Sequence, residues 1–201
     1  MVEESIQTDQ TLQQEKIQQP VKMKRRRFPP TPKWKKDLMD MVEVMVAALL
    51  VLVLVFTFIF RIVGVKGDSM RETLHNNDRL IISHLMYEPK QGDIVVVELP
   101  ELFDTPIIKR IIATGGQTVN IEEDGTVTVD GKALDESYTN AFTEPKELQF
   151  PITIPEGDVF VMGDNRTNST DSRDFGYVNE KNILGKVVIR LYPINKFGTV
   201  N

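Results

Sequence analysis

The sequence predicts a mainly β domain that follows a single apolar helix near the N-terminus. Residues 44–60 contain no charged residue, and with residues 38–43 they reach the roughly 20 positions that a helix needs to cross a bilayer. After residue 61 the chain changes to short β-branched runs separated by Gly, Pro, Asn and Asp. This second pattern is typical of strands joined by turns.

The apolar segment is interpreted as a transmembrane helix over residues 38–60. A buried core helix would carry polar residues on one face, and a cleaved signal peptide would have a shorter leader and a small-residue cleavage site behind it. The following residues, Arg61-Ile62-Val63-Gly64-Val65-Lys66, provide no such site. We therefore expect a retained span that contacts membrane lipid.

The charges predict how this span is oriented. Residues 22–36 contain eight basic residues and no acidic one, whereas residues 61–201 contain 15 basic and 22 acidic residues. By the positive-inside rule, residues 1–37 form a cytoplasmic tail, and residues 61–201 form an extracytoplasmic domain of a single-pass membrane protein. An acidic domain also argues against nucleic acid as a partner. Residues 1–21 have the composition of a disordered segment.

Seven strands are predicted after the span, and two dipeptides, Asp124-Gly125 and Asp130-Gly131, are strong hairpin-turn signals between them. Helical character is expected only briefly, near residues 179–184. The predicted strands cover residues 79–83, 93–98, 107–113, 118–122, 126–129, 159–163 and 186–192.

Several classes of site are excluded or disfavoured. The chain has no cysteine, so disulfides, zinc–thiolate sites and thiol nucleophiles are impossible. Residues 163–176 form a loop rich in hydrogen-bonding groups, but Arg166 occupies a position where a calcium-binding loop of the EF-hand type requires Asp or Asn. We expect neither a metal nor a cofactor.

A candidate nucleophile lies shortly after the span, in Gly67-Asp68-Ser69-Met70. Gly67 would let the backbone approach a substrate closely, and the Ser69 N–H could stabilise an oxyanion. Taken alone, Gly-Asp-Ser is far more often a turn than a catalytic motif.

A candidate base lies on the predicted strand at residues 107–113. Lys109 would share one face of that strand with isoleucines, where burial lowers the pKa of an ammonium group. A lysine that extends past an apolar edge into solvent is the commoner arrangement. Other candidates are His75 and His84, as members of a Ser-His-Asp triad, and Lys66.

Taken in order, these elements closely resemble the type I signal peptidases of bacteria over about residues 33–195. Residues 163–176 match the glycine-aspartate-asparagine-arginine box of that family and the serine, aspartate, serine, arginine and glycine that follow it. Lys109-Arg110-Ile111-Ile112 is similar to the lysine–arginine box. Ser69-Met70 followed by Thr73-Leu74 is similar to the nucleophile box.

The resemblance implies a role for each site residue. Ser69 would be the nucleophile and Lys109 the general base, and Gly67 stands where some relatives carry a hydroxyl as a second oxyanion donor. Ser169 would hydrogen-bond the lysine amine. The remaining supporting residues would brace the site, Asp171 by pairing with Arg173, and Ser172 and Asp164 by holding the loop.

The resemblance also implies a fold and a function. The fold would be a twisted, mainly antiparallel β-sheet domain with a small β cap near residues 118–157. The function would be that of a membrane-anchored serine endopeptidase, which cleaves exported preproteins after small residues through an acyl-enzyme. Candidate residues for lining the substrate pockets are Ile62, Val63, Val65, Leu80, Ile81 and Ile108.

Two alternatives stay open, one a different serine–lysine protease and the other from another class. A self-cleaving repressor shares the Ser-Lys dyad, but the span and the missing helix-turn-helix domain argue against it. A catalytically silent or narrowly specialised relative, processing few surface subunits, is the second alternative. It is suggested by Glu72, which stands where family members usually have proline and would put a charge near the substrate cleft.

Overall fold

The computed structural model describes residues 32–139 and 141–200. Helix α1, Lys33–Ile59, begins this part of the chain, and its segment Lys33–Val55 is the one helix among the described residues long and apolar enough to cross a membrane. At 1.5 Å per residue these 23 residues extend over about 35 Å. Leucine and valine side chains are exposed on all its faces, which is the surface expected of a helix surrounded by lipid.

Of the predicted tail, residues 1–37, the first 31 residues lie outside the described part of the chain. The helix starts five residues before the expected residue 38, so it includes Lys33, Trp34 and Lys35. It ends one residue before the expected end, because Phe60 is the first residue of a strand. The division of the chain into tail, span and catalytic domain stays a prediction.

Seven strands form an antiparallel sheet in the spatial order β1-β2-β11-β3-β4-β9-β10. The long strand β11 lies between β2 and β3, and its register shifts against both neighbours. Such irregularities increase the twist of a sheet. The strands are β1 (Phe60–Gly64), β2 (Arg79–Ser83), β3 (Ile94–Val97), β4 (Ile107–Thr114), β9 (Asp158–Met162), β10 (Val178–Asn179) and β11 (Ile183–Tyr192).

A second, smaller sheet is inserted between β4 and β9, with the order β7-β6-β5-β8. Its strands are β5 (Thr118–Ile121), β6 (Val127–Val129), β7 (Lys132–Ala133) and β8 (Ile152–Thr153). The predicted turn at Asp130 and Gly131 joins β6 to β7, and both residues have positive φ angles of 53° and 75°, as a two-residue type I′ hairpin requires. The predicted fold class, a mainly antiparallel β domain with a small β cap behind an apolar helix, is confirmed.

All seven predicted strands are present with shifts of at most three residues at their ends. Four strands were not predicted: β1, β7, β8 and β10. The predicted helical segment near residues 179–184 is a single 3-10 turn, Glu180–Asn182. A four-residue helix α2, Ser172–Phe175, also lies outside the predicted elements.

Three groups of buried apolar side chains hold these sheets together. One group packs the inner face of the small sheet against Ile112 and Phe160 of the large sheet. Another joins β2 and β3 to the segment that follows β1, through Met70 and Leu74. The third includes Val95, Ile111 and Val161, and it lies under the neighbouring strands β3, β4 and β9. The segment around Ser69 is therefore anchored to the large sheet by its own apolar residues.

Candidate active site

Ser69 lies in a short turn between β1 and β2, and it is half-buried. Buried Met70 on its C-terminal side packs into the core, and Gly67 before it has a φ angle of +84° that only glycine adopts without strain. The Ser69 N–H donates no hydrogen bond to any described residue. It is therefore available to an oxyanion at the same serine.

Asn165 holds the backbone of this turn from the opposite side. Its N–H donates to the Ser69 carbonyl oxygen at 3.0 Å, and its side-chain amide donates to the Asp68 carbonyl oxygen at 3.0 Å. Two consecutive carbonyl groups are thus bound by one residue of the 163–176 loop. The sequence prediction included no role for Asn165.

Lys109 lies on β4 and is only 3% exposed. Burial lowers the pKa of its ammonium group from 10.5 to about 8, against the opposing effect of the Asp171 carboxylate. Its strand neighbour is apolar, since Val95 pairs with it on β3. The Lys109 side chain therefore does not extend past an apolar edge into solvent.

Strand pairing places the loop glycine Gly163 opposite Lys109. Arg110 pairs with Met162 in the antiparallel β4–β9 ladder, and the same register continued by one residue aligns Lys109 with Gly163. Opposed residues in such a ladder direct their side chains to one face. A Cβ atom at Gly163 would lie 2.5 Å from the Ser69 carbonyl oxygen and 2.3 Å from Ser169 Oγ. Ser69 and Ser169 therefore adjoin the face on which Lys109 stands.

The hydroxyl of Ser169 has a different environment from the one expected. The residue is 7% exposed, and its Oγ makes no hydrogen bond of standard geometry among the described residues, although its hydroxyl helps to keep the pKa of the Asp171 carboxyl low. The predicted hydrogen bond from Lys109 to Ser169 is thus not formed in this structure. Because Gly163 leaves no side chain between these groups, the hydroxyl remains a polar atom within the site.

Asp171 and Arg173 form the pair that the sequence predicted. Arg173 donates from Nε to Oδ1 of Asp171 at 2.9 Å and from Nη2 to Oδ2 at 2.8 Å. Burial opposes ionisation of Asp171, but these bonds and the Gly163 N–H keep the pKa of its carboxyl below the usual value. Ser172 adds a further contact, because its Oγ accepts the Val161 N–H at 2.9 Å. The pair and the serine bind the loop to β9.

Asp164 joins three parts of the site. It accepts bonds of 2.9 Å and 2.8 Å from the Arg110 guanidinium, and Thr73 donates its hydroxyl to the same carboxylate at 2.5 Å. Arg110 and Asp164 are both buried. The strand that carries Lys109, the loop and the segment after Ser69 are therefore connected through one carboxylate.

Arg166 is a structural residue that the sequence analysis assigned to no role. It is 1% exposed, and it bonds the Gly163 carbonyl oxygen, the Thr143 hydroxyl and the Glu136 carboxylate. Burial and the Glu136 carboxylate have opposite effects on the Arg166 guanidinium, and the net result is a raised pKa. Its place in the family box was the only sequence signal, because Glu136 and Thr143 lie far away in the chain.

An apolar groove of about 290 Å³ lies beside β1 and β4. Of the six residues proposed to line the substrate pockets, Val63 and Ile108 line this groove, and the half-buried Ile81 does not. Val65 and Leu80 are instead buried in the core, and Ile62 is 66% exposed. The groove is lined by Val63, Gly64, Lys66, Val96, Thr105, Pro106, Ile108 and Leu184.

Glu72 is exposed and does not line this groove. It borders a separate pocket with Thr73, Tyr138 and Arg190. The charge that suggested an altered substrate cleft therefore lies outside this groove.

The other candidate bases differ from Lys109 in burial. His75, His84 and Lys66 are all exposed, whereas Lys109 is buried. Within residues 32–139 and 141–200, no three His, Asp or Glu side chains are grouped so as to hold a metal ion.

Comparison with known proteins identifies the family. The model of the family described as "Signal peptidase, peptidase S26" matches residues 38–192. Probable signal peptidase I-1 of Synechocystis sp. is 39% identical over 165 residues, which are 77% of this chain and 82% of that protein. Signal peptidase I S of Bacillus subtilis is 34% identical over 180 residues, which are 83% of this chain and 96% of that protein.

One solved structure, a signal peptidase I from Enterococcus faecalis V583, is 32% identical and covers 50% of this chain and 97% of its own, with a TM-score of 0.43. The family match covers the apolar helix, Ser69, Lys109 and the loop together. With the identities over most of two relatives, it confirms the resemblance seen in the sequence: the chain is a serine endopeptidase and belongs to the signal peptidase, peptidase S26, family.

Proposed function

We propose that this chain removes signal peptides from exported preproteins with a Ser69–Lys109 dyad. The observation that carries the proposal is the buried Lys109 with a pKa of about 8, on the strand face that adjoins Ser69 and Ser169. A neutral amine in reach of a serine hydroxyl is what a lysine general base requires. The family's action on exported preproteins supports the substrate class.

The proposed reaction has two stages. Neutral Lys109 takes the proton of the Ser69 hydroxyl as Oγ attacks the scissile carbonyl carbon, and the Ser69 N–H binds the oxygen that becomes negative. The Lys109 ammonium then gives its proton to the departing amine of the mature protein. In the second stage Lys109 takes a proton from water, which attacks the ester. The signal peptide leaves as a carboxylate, and Ser69 regains its proton.

Substrate selection is attributed to the groove and to strand β1. The groove beside Val63 and Ile108 is small and largely apolar, which suits residues such as alanine before the cleaved bond. β1 lies at the end of the seven-stranded sheet, so an extended substrate can add along residues 61–64 by main-chain hydrogen bonds.

Helix α1 is proposed to anchor the protein in the cell membrane. Its length and apolar surface support a single crossing, and the basic residues before it support a cytoplasmic N-terminus. The catalytic domain then works outside, next to membrane lipid, where exported chains emerge.

A cleavage assay tests the dyad directly. The full chain in liposomes is incubated with a preprotein that has alanine one and three positions before the cut, alongside the Ser69→Ala and Lys109→Ala variants. We expect cleavage by the parent and a loss of at least about 10⁴-fold in either variant. Ser137→Ala and Lys132→Ala change exposed residues of the same types and should cleave normally.

The outcomes separate the candidate functions. Cleavage that survives Ser69→Ala or Lys109→Ala contradicts the dyad. An inactive parent, with a correctly folded domain, favours the silent relative, and activity on only a few surface subunits favours the specialised one.

A further inference from the structure

The connection between β7 and β8 contacts the catalytic loop at four points. Arg166 bonds Glu136 and Thr143, and the Arg173 guanidinium donates to the Glu144 carbonyl oxygen at 3.3 Å. The fourth contact comes from Lys146, which reaches the loop at Ser169. Part of the small sheet's insertion therefore belongs to the wall of the active site.

Lys146 is bound at the end of its side chain, and its backbone adopts a left-handed conformation. Its backbone has a φ angle of +57°, a conformation that costs free energy in residues with a side chain. Its Nζ donates to the Ser169 carbonyl oxygen and to Asp174 Oδ2, the latter at 2.7 Å. The side chain is 23% exposed, so water screens this charge only in part.

The Asp174 carboxylate that receives Lys146 also belongs to the loop. It accepts the Asp171 N–H at 2.9 Å and so closes the capping box of helix α2. Lys146 is thereby fixed against the same short segment that carries Ser169, Asp171 and Arg173.

Four charged groups of the surrounding elements act on Lys109. The carboxylates of Asp171 and Asp164 favour its protonated form, while the cations of Lys146 and Arg173 disfavour it. Arg173 is committed to the buried pair with Asp171. Lys146 is paired with Asp174, a carboxylate that is 28% exposed, and its ammonium is bound directly to the Ser169 carbonyl oxygen.

We propose that Lys146 is a positioning residue for the base, whose ammonium, fixed beside Ser169, favours the neutral amine of Lys109 and so speeds hydrolysis at neutral pH. This inference rests on the proposed function of Lys109. It assigns to the insertion a role in catalysis that is separate from its role as a structural cap.

The test is the pH dependence of kcat/KM for the full chain in liposomes, with Lys146→Gln and Lys146→Arg. The glutamine keeps a donor for the Ser169 carbonyl oxygen but removes the charge, and the arginine keeps the charge. The acid limb is the part of the profile in which kcat/KM rises with pH. For Lys146→Gln we expect this limb to move to higher pH by about half a unit. Activity should then be about threefold lower at pH 6.5 and equal to that of the parent above pH 9.5. Lys146→Arg should keep the parent profile.

Lys132→Gln is the matched control, because it removes one exposed positive charge from β7 of the same sheet. Lys132→Gln should leave the acid limb of the pH profile at the same pH as in the parent. A Lys146→Gln profile with equal loss at every pH, or with none, overturns the proposal, since a purely structural contact would lower the plateau without moving the limb. If Lys109→Ala still cleaves, the proposed dyad itself is wrong.

A second measurement does not depend on activity. The change in melting temperature caused by Lys109→Met is compared in the parent and in Lys146→Gln at pH 6 and at pH 10. Because two like charges repel only when both are present, Lys109→Met should raise the melting temperature less in the Lys146→Gln background at pH 6. The two backgrounds should agree at pH 10. Equal effects at both pH values contradict the proposal.

Discussion

At Lys109, burial affects folding as well as the proposed role of the amine in catalysis. The pKa of the amine falls from 10.5 to about 8 in the folded chain, so the folded state binds this proton less tightly than the unfolded state does. Below pH 8 both states are protonated, and the full cost is present. Between pH 8 and 10.5 the unfolded chain keeps a proton that the folded chain loses, so this contribution to stability improves as pH rises.

We therefore expect Lys109→Met to abolish cleavage and yet stabilise the fold. The pKa difference corresponds to roughly 3 kcal/mol at pH 7, and the gain should shrink between pH 8 and 10.5. Urea unfolding of the two proteins at pH 7 and pH 10 measures this. Lys132→Met, at an exposed position, should change stability little; a Lys109→Met chain no more stable than the parent would contradict the assignment.

The same pKa predicts the pH dependence of activity. If Lys109 is the base, as proposed, only its neutral amine can accept the Ser69 proton, so kcat/KM should rise about tenfold per pH unit up to pH 8 and level off above it. Initial rates with a short peptide between pH 5.5 and 10 report this limb. A flat profile from pH 6 to 9 would exclude Lys109 as the base.

Gly163 offers a steric test of the site. A Cβ there would lie 2.5 Å from the Ser69 carbonyl oxygen and 2.3 Å from Ser169 Oγ, so Gly163→Ala must push the loop and Ser69 apart. A displacement of about 1 Å reduces kcat about 100-fold. Gly157→Ala is the control: its φ is +81° with nothing within 4 Å of the added atom, so it should cost stability and leave kcat unchanged.

The sequence alone identifies a candidate site residue when the neighbours that determine its chemistry are adjacent in the chain. Lys109 stands among isoleucines, which made it a candidate base. A lysine that extends into solvent is the commoner arrangement on such a strand, so the resemblance to the family decided its role. Arg166 and Lys146 could not be assigned in this way, because their partners Glu136 and Ser169 lie 30 and 23 residues away. Such contacts exist only after the insertion has packed on the loop.

Among the elements, β4 and the loop are held together by the buried Arg110–Asp164 pair. Removing Asp164 leaves the Arg110 guanidinium buried without its carboxylate, which costs about 3–5 kcal/mol. We expect Asp164→Ala to lower the free energy of unfolding by that amount and to reduce cleavage, because Thr73 also loses its partner.

The double variant Arg110→Met with Asp164→Ala separates charge from packing. It should recover much of the lost stability, since no buried charge remains, while activity stays low. Additive losses in denaturant unfolding would show that the two side chains contribute independently.

A strand could be predicted from the sequence when it was long enough and when its composition differed from that of the flanking residues. The β-branched runs of β2, β3, β4 and β11 were long enough to be recognised. β7, β8 and β10 have two residues each, too few for any periodicity. β1 was missed for another reason: its apolar residues continue the composition of the helix, and only pairing with β2 makes them a strand.

For the whole molecule, the charge asymmetry predicts topology. With tags at both ends, protease added to intact spheroplasts should remove the C-terminal tag and leave the N-terminal tag protected. Replacing the eight basic residues of positions 22–36 by glutamine should weaken this orientation. An N-terminal tag that is digested from outside in the parent contradicts the proposed arrangement.

The junction of helix α1 and β1 has a consequence for where cleavage occurs. The helix ends at Ile59 and β1 begins at Phe60, so no loop takes up a vertical displacement of the span. Hydrophobic mismatch tilts or shifts a membrane helix when bilayer thickness changes. If helix α1 spans the membrane, as proposed, a shift of its C-terminal end would act on β1, the strand that precedes the Ser69 turn. Acyl-chain length in the host membrane would then help to decide which peptide bonds of a preprotein come within reach.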